Sequence, residues 1–168
     1  MAQKSDFTPD EWHRLIAAPM IAGVAVTAAD PSGLWGLLQE SLASGGALLE
    51  AKRDAAANPL VKAIVADFES PEGRAAARDG VKERLTGKSP ADISKAAVQG
   101  LKELSAILDA KAPADAAAFK SWLGEIARRV AEAGKEGGFL GFGGVSVSDA
   151  EKATLAEINS VLGVKAVA

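Results

Sequence analysis

The side chains able to do chemistry are few, and their spacing limits what they can do. His13 is the only histidine and there is no cysteine, so one chain holds no HExxH site, no multi-histidine metal cluster, no thiolate ligand and no cysteine nucleophile. His13 stands between Trp12 and Arg14, one turn after Pro9, with no partner at catalytic spacing. It reads as a part-exposed helix residue rather than a general base. No serine lies in a G-x-S-x-G elbow, and a lone histidine near the N-terminus is poor support for a triad. No catalytic residue is assigned.

Carboxylates are the remaining metal-binding chemistry, and Asp30, Asp149 and Glu151 are the candidate ligands. Asp30 opens the turn Asp30-Pro31-Ser32-Gly33, which lacks the alternating acidic ligands and closing Glu of an EF-hand loop. Capping of the following helix explains Asp30 more simply. Ser148 and Glu151 have capping-box spacing. No doubled Glu-x-x-His pattern exists to build a di-iron centre, and no cofactor is implied.

The candidate binding residues are Phe139, Leu140 and Phe142, set among five glycines in Gly137–Val145. The segment is no phosphate loop, because neither a preceding strand nor a Lys-Ser or Lys-Thr pair is present. Either the glycines turn the backbone while the three side chains plug the core, or those side chains form a docking surface. Arg74, Arg78 and Lys82 recur every four residues, diluted by Glu72, Asp79 and Glu83. Without interleaved aromatic rings this reads as a solvated, salt-bridged face, and with a formal net charge of −3 no nucleic-acid partner is expected.

These residues must be positioned by helices. Only 5% of the chain is aromatic, tyrosine is absent and alanine is abundant, which favours helix over sheet. All seven prolines stand where a helix could begin, and five follow Thr8, Asp30, Asn58, Ser70 or Ser89. A capping side chain followed by proline is a helix start. Pro19 and Pro113 follow alanine, so a kink at Pro19 is an alternative. The punctuation predicts helices near 9–17, 19–29, 31–52, 59–69, 71–86, 90–110, 113–136 and 149–162, with stops at Gly87, Gly137 and Gly163. Apolar stripes at helical spacing include Phe119, Trp122, Leu123, Ile126 and Val130, with Trp122 at the centre of the best one.

The reading is therefore an all-α, single-domain bundle of about seven to eight helices over residues 1–168, with an N-terminal tail at 1–7 and a Gly-rich apolar loop at 137–147. The longest uncharged run, Leu15–Ala29, is shorter than the roughly 20 residues that span a bilayer, so no transmembrane segment is expected. Met1 to Arg14 is net acidic, unlike a signal peptide. With the lack of cysteine, this predicts a soluble, cytoplasmic protein.

At Phe7–Trp12, at the Ala29–Gly33 turn and over Gly137–Glu151, the chain resembles uncharacterised bacterial all-helical proteins. More distantly, the Ala-Ala-Asp turn and the Val-Ser-Asp-Ala-Glu helix start ending in Leu162-Gly163 are similar to TerB-like tellurite-resistance domains, although Pro31 stands where that family's turn usually has Gly. The resemblance implies a helical fold and a metal-responsive role through acidic turns. The residues themselves point to a non-enzymatic domain that binds a protein partner or associates with itself, with a metal-responsive or carboxylate-based enzymatic domain as the alternative. Changing Phe139 and Phe142 together to Ser separates the readings of the Gly-rich loop. Buried rings predict a loss of several kcal/mol on chemical denaturation. Docking rings predict unchanged melting and weakened association.

Overall fold

The computed structural model describes residues 2–29, 58–136 and 147–165. These carry six α-helices and no strand: α1 (Pro9–Thr27), α2 (Pro59–Phe68), α3 (Pro71–Leu85), α4 (Pro90–Lys111), α5 (Pro113–Glu136) and α6 (Asp149–Leu162). A short 3-10 turn, Lys4–Asp6, and the buried Phe7 occupy the segment expected as a tail. The helix expected at 31–52 lies outside the described residues, as do Asp30, Gly137, Phe139, Leu140 and Phe142.

The capping chemistry sets the helix starts. Thr8 Oγ1 accepts the Glu11 N–H at 3.2 Å while Glu11 accepts the Thr8 N–H at 2.7 Å, and Ser148 and Glu151 repeat this exchange. Asn58, Ser70 and Ser89 each cap a helix whose first residue is proline. Before α5 no side chain is needed, because the Ala112 carbonyl accepts the N–H groups of Asp115 and Ala116. Phe7 packs on Trp12 with ring centroids 5.7 Å apart, the staple that fixes how the chain enters α1. Gly163 closes α6 in left-handed geometry, whereas α3 ends at the extended Thr86 and Gly87, with positive φ, turns the chain after it.

The two helices expected at 9–17 and 19–29 are one, with Pro19 inside it. Neither a capping side chain nor a glycine stop lies at Ala17-Ala18. Breaking there would also expose backbone polar groups in a segment that is buried from Leu15 to Pro19 and from Ile21 to Thr27, which costs as much as the proline does. A helix apolar all round needs neighbours all round. α1 packs most extensively on α4, then on α3 and α5, with smaller contacts to α6 and α2.

Polar contacts set the register. Lys111 pairs with Glu11, Arg14 lies 3.9 Å from Glu103, and Ser94 Oγ donates to the Ala25 carbonyl at 2.9 Å. Positions rise along α1 as they fall along α4, so the two helices are antiparallel. Ser94 also satisfies one of the carbonyls that the end of α1 leaves without an intrahelical partner. At Gly80 an added Cβ would stand 3.1 Å from the Ala17 Cβ, so glycine sets how closely α3 crosses α1.

The expected stripes face inward, with one correction. Phe119, Leu123 and Ile126 are buried, whereas Trp122 and Val130 only flank the core. Trp122 stands edge-on to Phe119, ring centroids 5.3 Å apart, at the margin of the α5 stripe rather than its centre. Phe119→Ala should cost about 3–5 kcal/mol in urea denaturation, and Trp122→Ala distinctly less. The reverse order would show that the α5 face is misassigned.

Candidate functional site

α3 and α4 both pack on α1 but touch each other less, and the space between them is a groove of about 860 Å³. Its floor is apolar: Ala17, Ala18 and Ile21 of α1, Ala76 of α3, and Ala96, Leu101 and Leu104 of α4. Charge is confined to the rim, where Asp10, His13 and Arg14 close one end and Glu72, Asp79 and Glu83 run along the α3 wall.

At 100° per residue Glu72, Asp79 and Glu83 fall within roughly 40° of one another around α3, while Arg74, Arg78 and Lys82 occupy a different face. The sequence reading of one salt-bridged surface is thus corrected: α3 separates its charges, with the carboxylates on the groove side. Arg74 instead donates to the Glu69 carbonyl at 2.6 Å. The arginines of the rim are already engaged. Arg84 donates to Glu103 at 2.7 Å, passing over Gly100, where an added Cβ would lie 2.9 Å from its Nε. The Arg84 hydrogen bond holds the Glu103 carboxyl below its usual range; burial pushes the other way, and Gln99 and Arg14 add to the lowering.

A second cluster is structural. Asp67 accepts from Trp12 Nε1 at 2.6 Å and from Lys4 Nζ at 2.8 Å, and although burial raises its carboxyl, these donors outweigh burial and keep it below its usual range. Buried Asp115 accepts from the Ala2 N–H at 2.7 Å and from Asn58 Nδ2 at 2.9 Å, tying the N-terminal segment and the start of α2 to the start of α5. Both carboxylates have their bonds filled by the fold.

Of the candidate metal ligands, the two among the described residues are engaged elsewhere. Asp149 is exposed and pairs with Lys152 at 3.2 Å, and Glu151 is buried with its carboxylate in the capping box of α6. Asp30 lies outside the described residues, and among those described no group of three or more His, Cys, Asp or Glu side chains is placed to hold a metal ion. His13 is exposed on the groove rim, and the groove lining has no hydroxyl or thiol beside it for nucleophilic catalysis. The sequence reading missed the groove, although the 7- and 4-residue intervals between Glu72, Asp79 and Glu83, with alanine and glycine between, were its visible trace.

Comparison of the chain with family models, curated proteins and solved structures gives no match. Among the described residues no helix is long and apolar enough to cross a membrane.

Replacing Arg84 by Met keeps the alkyl stem and removes the guanidinium, so the Glu103 carboxyl should rise toward its ordinary value in an NMR pH titration. Because the folded pKa is depressed, the pair contributes stability that is full above the ordinary glutamate value of roughly 4 and is lost as pH falls through the depressed one. The variant should therefore lose less stability on acidification in that window. An unmoved Glu103 titration would show that Arg84 does not hold it.

Proposed function

We propose that this chain is a non-enzymatic helical binding domain and that the groove between α3 and α4 is its binding surface. The observation that carries this reading is the row of exposed carboxylates along an apolar groove. The polar clusters around Asp67 and Asp115 are closed by their own neighbours. At the groove, Glu72, Asp79 and Glu83 stand exposed along a concave, apolar surface. Concave surfaces with a few polar groups on the rim are where ligands and partner segments lodge.

The partner is a protein segment rather than a substrate, since the lining supplies rim charges and an apolar floor but no nucleophile with a base beside it. A bacterial, cytoplasmic setting belongs to the same proposal. So does self-association, in which a second copy supplies the segment.

A photo-crosslinking residue placed at Gln99, exposed on the α4 wall, tests the reading against the same residue placed at Lys152 on α6. In cells producing the protein, Gln99 should give discrete adducts that Lys152 does not, and Ala76→Trp, which fills the groove, should remove them without changing helicity. An adduct of twice the chain mass would identify a second copy as the occupant. Identical patterns from both positions would overturn the assignment of the groove.

A further inference from the structure

Resting on the reading of the groove as the binding surface, we propose that its occupant is a cationic amphipathic helix from a protein partner, lying along α3 with its basic residues against Glu72, Asp79 and Glu83. The first argument is charge. Both arginines at the rim are directed to Glu103 of α4. Asp10, Glu72, Asp79 and Glu83 line the groove and make no ion pair among the described residues. Against these four carboxylates the lining offers only Lys88 and His13 as further basic groups. Within α3, Arg84 is taken up by Glu103, and Arg74, Arg78 and Lys82 centre on another face and make no ion pair with the wall among the described residues.

The second argument is spacing. Glu72 and Glu83 are eleven residues apart on one helix, or about 16 Å. That length distributes the three charges over three turns, too far apart for one compact cation, and a helix lying alongside returns side chains to the same face at the same 7- and 4-residue intervals.

The third argument is the floor. Ala18, Ile21, Ala76, Ala96, Leu101 and Leu104 make it apolar, so an apolar helix face can settle on it while its cations reach the rim. An extended polyamine would meet the charges and leave the floor uncovered.

The experiment is calorimetric binding of synthetic helical peptides to the full chain. The first peptide has about 15 residues, where an isolated helix begins to hold, with lysines at i, i+7 and i+11 and alanine and leucine on the adjoining face. A second has the same composition with the lysines scattered around the helix, and a third has glutamates in place of the lysines. Patterned lysine should bind about tenfold more tightly than scattered lysine, the effect expected of three part-exposed ion pairs, and more tightly than spermine. In the triple variant Glu72→Lys, Asp79→Lys, Glu83→Lys, whose three positions are exposed, the preference should reverse toward the glutamate peptide.

Equal affinity for patterned and scattered peptides, equal affinity for spermine, or an unreversed preference in the triple variant would each overturn the proposal. Crosslinking from Gln99 distinguishes this failure from failure of the groove itself. Adducts that survive the triple charge reversal show a groove occupied by something other than a cationic helix. Absence of Gln99-specific adducts in the otherwise unchanged protein shows that the groove is not the binding surface.

Discussion

The constraint on which the structure depends is the burial of α1. From Leu15 onward this helix has no charged side chain and no polar face, so water is a poor neighbour on every side and the other helices must surround it. Leu15, Ala22, Ala25 and Val26 are completely shielded, and Ile16 nearly so. The need to keep this sheath continuous also explains Pro19. Ending the helix there would open backbone polar groups in the driest part of the molecule, whereas passing through loses one intrahelical hydrogen bond.

The groove is a geometric consequence of the same burial. α3 and α4 are each drawn onto α1, and small residues at the contact, Gly80 against Ala17 and Gly100 beneath Arg84, set how the pieces fit. Two helices held by a third need not close on one another. Arg84 and Glu103 bridge part of the opening, and beyond that bridge the α3 wall keeps its carboxylates and the floor keeps its alanines. The groove is thus built from ordinary packing choices, without a buried unpaired polar side-chain atom among the described residues.

Much of this fold was legible in the sequence because its boundaries are written in local chemistry. A capping side chain followed by proline acts within one turn, so the starts of α2, α3 and α4 and the capping boxes of α1 and α6 could be read residue by residue. What depends on distant neighbours could not. Pro19 looked like a boundary because proline ordinarily breaks a helix, and only the sheath around α1 reverses that preference. Trp122 looked central because helical spacing identifies a face but not its margins, which are set by what packs opposite. The acidic wall of α3 was present as a spacing, yet its carboxylates and arginines alternate along the sequence and separate only when projected around a helix. Asp149 and Glu151 looked like ligands by residue type, whereas a lysine and a helix end already engage them.

Native-state hydrogen exchange tests the central claim, that one uninterrupted helix organises the others, most directly. The amides from Ala22 to Thr27, beyond the proline, should exchange only through global unfolding, with protection equal to the most stable amides of α4 and with the two helices opening together as denaturant is raised. Exchange of that stretch through a separate, lower-energy opening, while α4 and α5 remain protected, would show that Pro19 divides α1 and that the remaining helices hold together without it.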